Sequence, residues 1–264
     1  MRIETRHRAA LLTVAVIVVI LERRWRARRY VEPPQRHITR NLALAGVAAA
    51  TVQLLEMPVV MPLARLVERR RWGLTHVLGG PPWLRGLIAV LLLDYTLYLW
   101  HVLTHRTPWL WRFHLVHHVD LDLDATTGLR FHAGELAASV PWRAAQIVVI
   151  GVTPGALALW QQLTLACVLF HHSNTRLSDE TERMLSRFIA TPRMHTLHHS
   201  TDPEHLHSNF ASGLSIWDRL HGTRLVAEPE TGAVGVAGYL APVSFGRALT
   251  LPFEPPAEPG VLPG

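Results

Sequence analysis

Lysine is absent from this 264-residue chain, and all 26 basic residues are arginine. We read this as coding bias towards a GC-rich genome, not as chemistry. Cysteine is nearly absent. Cys167 alone excludes an internal disulfide and any cysteine-based zinc or iron–sulfur site, and it stands in an apolar run as a small core or lipid-facing residue. Charge is scarce, at 17% against roughly 25% in an average soluble chain, and mean hydropathy is +0.17. That balance fits a membrane protein better than a cytosolic one. A pI near 10.6 raises the question of nucleic acid, but the arginines flank apolar stretches and form no separate basic domain. Arginines placed so set topology or meet anionic headgroups. The zincin motif His-Glu-x-x-His is missing, and so is any solenoid repeat.

Five apolar runs organise the chain. Ala9 to Leu21 is short for a span and is followed by Glu22-Arg23-Arg24-Trp25-Arg26, which reads as an uncleaved anchor with snorkelling arginines. Leu42 to Leu63, interrupted by Gln53 and Glu56, is long enough to cross a bilayer of about 30 Å. Leu84 to Val102 runs into the first histidines. Leu136–Gly151 and Ala156–Phe170 are joined by Val152-Thr153-Pro154-Gly155, a turn signal that predicts a helical hairpin. The hairpin would return segments 101–135 and 171–264 to one face of the membrane. Which face is open at this point, because arginines are dense both at 23–40 and at 65–71 and split the positive-inside rule.

Histidine is abundant, at 17 residues. Eight fall in three clusters: His101-x-x-x-His105, His114-x-x-His117-His118 and His195-x-x-His198-His199. Positions i, i+3 and i+4 share one face of a helix, so each cluster can aim two or three imidazoles at one point. Neutral imidazole is the commonest side-chain metal ligand. Eight are too many for one four-coordinate zinc, so the chain reads as a scaffold for two ions. After Thr191, Pro192 predicts a short helix carrying His195, His198 and His199. His171 or His172, at the end of the hairpin, is a candidate ninth ligand, and His205 and His207 are weaker candidates. His7, His37, His76 and His221 stand alone without an assigned role.

Other polar residues are candidate outer partners. Asp94, Tyr98, His101 and His105 trace one helical stripe. Asp94 is expected to accept from the distal N–H of a ligating histidine, which would fix its tautomer. His132 and Glu135 read equally as outer partners or as a salt-bridged helix start. Asp120, Asp122 and Asp124 read mostly as a solvated loop. Asn174 could hold a metal-bound water. From about Gly222 the chain is rich in Gly, Pro and Ala, and Pro252–Gly264 reads as an unstructured tail.

The chain resembles the fatty acid hydroxylase/sterol desaturase superfamily of histidine-rich di-iron membrane oxygenases over about Asp94 to Thr223. The pieces are Asp94-Tyr95-x-x-Tyr98-x-x-His101-x-x-x-His105, His114-x-x-His117-His118 and Thr126-Thr127-x-x-Arg130-Phe131-His132-x-x-Glu135, then His172-Ser173-Asn174. They continue with Pro192-Arg193-Met194-His195-x-x-His198-His199-Ser200, Asn209-Phe210 and Leu214-Ser215-x-Trp217-Asp218-Arg219-Leu220. Their wording is closest to bacterial members. Ala211 stands where the family often has glycine, and His221 where it has phenylalanine.

The resemblance implies His101, His105, His114, His117, His118, His172, His195, His198 and His199 as ligands of two irons, with Asn174 in support through water. Asp94, Tyr98, His132, Glu135 and His171 would surround them. It also implies O2 as co-substrate, a lipid substrate, hydroxylation or desaturation of a C–H bond, and a separate electron donor (a ferredoxin, a cytochrome b5-like protein or a reductase). The implied fold is all-α: a bundle of about four to five membrane helices under a cytosolic helical cap, in the bacterial inner membrane with the site facing the cytoplasm. Residues 1–80 would be anchor helices, 81–222 the catalytic domain, 223–264 a tail. Two other readings compete. A zinc-dependent lipid hydrolase could use the same scaffold. A metal transporter would hold its histidines at mid-depth within the spans, whereas most stand at span ends or in loops.

Overall fold

In the computed structural model, residues 2–226 and 233–255 are described, with side chains from residue 9 onward. Helices α1 (Arg2–Arg24), α2 (Pro34–Thr51), α3 (Met57–Arg70), α4 (Leu74–Leu78) and α5 (Pro82–Arg106) form the first half. Then follow α6 (Pro108–His118), α7 (Ala133–Gln146), α8 (Pro154–His172), α9 (Asp179–Leu185) and α10 (Pro192–His198). The last are α11 (Pro203–Leu206), α12 (Ile216–Leu220) and α13 (Phe245–Thr250). The described residues contain no β-strand, only three isolated bridges, Arg26–Thr175, Ile189–Leu214 and Ser200–Val234.

Among the described residues, two segments are long and apolar enough to cross a membrane: Pro34–Leu78 and Pro82–Arg106. Only 22% and 28% of their most apolar windows are buried, so their apolar surface faces outward. Each apolar run of the sequence lies within a helical segment. The predicted hairpin turn is present: Thr153 caps α8 by accepting from Ala156 N, and Pro154 occupies the first turn. A π-helical turn at Val52–Glu56 joins α2 to α3, and another at Ile147–Gly151 ends α7. Gly73 (φ +87°) and Gly151 (φ +84°) lie backbone against backbone, an approach that a Cβ on either would block.

The two larger of three apolar clusters among the described residues join helices to one another. Val60, Ala64, Leu93, Leu157 and Trp160 join α3, α5 and α8. Trp111, Leu115 and Val119, in and just after α6, pack against Val236, Tyr239, Ala248 and Leu251. The stretch read as a Gly/Pro-rich tail therefore covers α6 where it is described, because Val236, Tyr239 and Leu251 bury apolar surface there. Pro252 is itself buried in a short 3₁₀ turn. Residues 256–264 lie outside the described residues.

The aspartates read as a solvated loop are buried. Asp122 accepts from Val31 N (2.7 Å) and Glu32 N (3.1 Å), and Asp124 from Tyr30 Oη (2.8 Å). Asp120 lies 2.9 Å from His37 Nε2 and accepts from Asn41 Nδ2 at 2.9 Å. Together they clamp the link between α1 and α2.

Candidate metal centre

Four helices supply the site. His101 and His105 end α5; His114, His117 and His118 lie on α6; His172 ends α8; His195, His198 and His199 lie on and just after α10. All nine are buried. Pro192 starts α10, as the sequence predicts, and Thr191 caps it by accepting from Met194 N.

The rings form two groups, and within each one ring nitrogen per histidine lies within 4.8 Å of all the others. One group holds His101, His105, His114, His118 and His198; the other holds His117, His172, His195 and His199. Each cluster thus aims two imidazoles at one group, as expected, and the third imidazole of each His-x-x-His-His box goes elsewhere. The i, i+4 pairs His114/His118 and His195/His199 each serve one group, while the intervening His117 and His198 serve the opposite one. Adjacent helix positions diverge by about 100°, so a His-x-x-His-His box on a helix feeds two neighbouring centres.

The geometry fits metal ions. Facing Nε2 atoms lie 3.1 Å apart for His172–His117, 2.9 Å for His195–His172, 3.2 Å for His199–His195 and 3.1 Å for His198–His101. Ligands at a metal–nitrogen distance of about 2.1 Å stand about 3.0 Å apart at right angles and about 3.4 Å apart at tetrahedral angles. Both nitrogens of His105 and His118, and Nε2 of His114, are buried with no hydrogen-bond partner, a costly state that a shared cation would relieve. Burial, and then the neighbouring imidazoles, hold His117, His118, His195 and His199 well below the usual histidine range. These rings are neutral at physiological pH and present lone pairs.

Four rings are oriented from behind. His101 Nδ1 lies 2.6 Å from Phe210 O, His198 Nδ1 2.7 Å from Ser208 O, His172 Nδ1 2.9 Å from Val168 O, and His114 Nδ1 3.0 Å from Glu135 Oε1. In each case an Nδ1–H donor would leave Nε2 free to bind. Sequence reading could name Glu135 but not the three carbonyls, which any residue supplies.

Four other expected partners are placed elsewhere. Asp94 accepts from Trp217 Nε1 (2.7 Å) and Leu214 N (3.0 Å), not from a histidine, because the 213–217 turn folds over its face of α5. Tyr98 Oη pairs with Thr223 Oγ1 at 2.9 Å. His132 caps α7 by accepting from Gly134 N at 2.9 Å. Asn174 binds the backbone of Arg28 on both sides, accepting from its N–H at 2.8 Å and donating to its carbonyl at 3.0 Å. His171 is buried with its ring centroid 4.1 Å from that of His195, but belongs to neither group. His205 and His207 also stand outside both groups.

The fatty acid hydroxylase signature matches residues 86–223, just over half of the chain. The chain belongs to the fatty acid hydroxylase family. It is 29% identical over 170 residues to the ornithine lipid hydroxylase OlsE of Rhizobium tropici, covering 64% of this chain and 50% of that protein. It is 28% identical over 139 residues to cholesterol 25-hydroxylase of Homo sapiens, covering 52% and 50%. To alkylglycerol monooxygenase of Xenopus tropicalis it is 30% identical over 155 residues, covering 59% and 33%. The chain thus spans about half the length, or less, of these relatives. No solved structure matches.

A cavity of about 250 Å³ opens against the centre, touching His101, His114, His117, His172 and His195. Its walls include Leu97, Trp100, Phe131, Leu136 and Val168. Glu56 and Arg143, which the sequence reading passed over as site residues, line it as well.

Proposed function

We propose that this chain is an integral-membrane, O2-dependent lipid hydroxylase or desaturase acting on a C–H bond. His101, His105, His114, His118 and His198 would hold one iron, and His117, His172, His195 and His199 the second. The observation that carries this reading is the pairing of two adjacent buried imidazole groups with an apolar cavity that opens on both. Hydrolysis needs only one Lewis acid and a water, and a wall of this kind is suited to an alkyl chain. Bound iron would supply the activation of O2, with reductant from a separate ferredoxin, cytochrome b5-like protein or reductase; zinc is a possible replacement metal. The chain's own residues bind and orient. Leu97, Trp100 and Leu136 desolvate the substrate, and cavity depth sets which carbon meets the centre.

The relatives' names mention an ornithine lipid, cholesterol and an alkylglycerol. Oxidation of a lipid is what they have in common, and we carry only that to this chain. We assign it to a bacterial inner membrane, with a bundle of about four to five membrane helices and the histidine cap on the cytoplasmic side. Within the proposed catalytic region 81–222, Glu135 and His171 adjoin the centre. Iron and zinc content of the detergent-purified protein, measured beside its O2 consumption, tests the reading. We expect two irons per chain, and loss of both iron and activity in His117→Ala and in His198→Ala. Retention of two irons in either variant, or a zinc protein without O2 uptake, refutes it.

A further inference from the structure

The far end of the cavity is charged. Glu56, in the π-helical turn between α2 and α3, and Arg143, on α7, both face it beside Trp160. Charges among apolar helices are costly and usually carry a function, and π-helical turns recur at functional sites. This pair is not closed on itself. Arg143 Nε stands 3.7 Å from Glu56 Oε1, beyond hydrogen-bond length, and is buried without a hydrogen-bond partner. Arg143 Nη1 donates to Gln146 Oε1 at 2.7 Å, and the guanidinium lies 4.3 Å from the Trp160 ring centroid. The arginine is therefore held in place while its Nε–H, buried beside the Glu56 carboxylate in the cavity wall, lacks a partner.

We propose that Glu56 and Arg143 form a subsite for the hydroxyl group of a lipid alcohol, which fixes how far the chain reaches towards the histidines. A hydroxyl oxygen accepts from Arg143 Nε–H while its proton is donated to the Glu56 carboxylate, so one atom satisfies both groups. An ether oxygen satisfies only the arginine. A carboxylate would place a second negative charge beside Glu56, and an ammonium a second positive charge beside Arg143, each costly in a poorly solvated site. The reach follows from helix rise. Arg143 lies eight residues beyond Glu135 on α7, about 12 Å, and Trp160 twelve residues before His172 on α8, about 18 Å. The subsite thus selects an alcohol whose reactive C–H lies roughly that far from its oxygen.

The inference deepens the proposed function and rests on it for the word substrate, but its test is binding. The metal-loaded protein in nanodiscs is titrated with 1-dodecanol, methyl dodecyl ether, dodecane and laurate, with tryptophan fluorescence as the readout. We expect the alcohol to bind on the order of tenfold more tightly than the alkane, with the ether between them and laurate weak. The double variant Glu56→Gln/Arg143→Met removes both charges together and so strands neither. It should keep its metal content and lose the preference for the alcohol. A wild-type protein that binds alcohol and alkane alike, or a double variant that retains the preference, overturns the proposal and leaves the pair as a link between helices. Should the variant fail to fold, the wild-type ranking alone decides. Failure of the oxygenase reading would appear separately, as absent iron or absent O2 uptake.

Discussion

At the scale of single residues, the site depends on what stands behind each ring. Asn209 is the clearest case. It adopts the left-handed region (φ 51°) that asparagine tolerates better than most residues. Its side chain donates to Met194 O and Leu225 O and accepts from Leu225 N, at 3.0–3.1 Å. The loop so fixed presents Ser208 O to His198 and Phe210 O to His101, both in the group of five. Asn209→Ala should therefore lower metal occupancy severalfold, mostly in that group, with metal stoichiometry and absorption spectra as the check. Equal loss from both groups would show a general unfolding instead. The sequence pointed to Asn209-Phe210 through resemblance, but it could not show that the backbone on either side does the work. Asp94 was misplaced for the opposite reason. Its helical stripe with His101 is real, but a stripe does not say which side chain from another segment arrives to meet it.

At the scale of elements, helix periodicity made the histidine positions legible. It did not reveal the division of each box between two groups, which depends on where α5, α8 and α10 stand around α6. Close packing then fixes those helices. A Cβ on Gly128 would lie 2.9 Å from His172 Nδ1 and 2.8 Å from Val168 Cγ1, so α8 can approach only because that position lacks a side chain. Gly128→Ala is expected to push His172 off its group and to weaken metal binding there by about tenfold or more. Competition with a chelator, followed by metal analysis, measures this. His37 belongs to the same scale. Alone in the sequence it had no assigned role, but it lies buried between Asp120 (2.9 Å) and Asp124 (3.2 Å). Loss of the clamp in Asp120→Asn should lower the melting temperature by several degrees while the metal-to-protein ratio of the folded fraction stays unchanged.

At the scale of the whole molecule, α1 is tied to the 125 and 174 loops through Glu22, just past the first apolar run. Its carboxylate accepts from Ala125 N and Asn174 N, both at 2.8 Å. Burial, opposed by these bonds and aided by nearby Asp124, raises its pKa from 4.5 to about 7. A raised carboxyl favours the folded state while protonated, and that contribution fades as pH rises from 4.5 through about 7. The melting temperature of the metal-loaded protein should therefore fall over this window relative to that of Glu22→Gln, which keeps the acceptor and has no charge to bury. Parallel curves for the two proteins would show that Glu22 does not titrate there.

The sequence by itself determined the helical runs, the hairpin turn at Thr153-Pro154 and the concentration of imidazoles near the ends of those runs, because hydropathy, caps and helical spacing are local properties. Only the tertiary structure decided which imidazoles share a centre, which carbonyls hold them, and that Glu56 meets Arg143 across a cavity. Those outcomes depend on the packing of helices distant in the chain, and no local pattern carries that information.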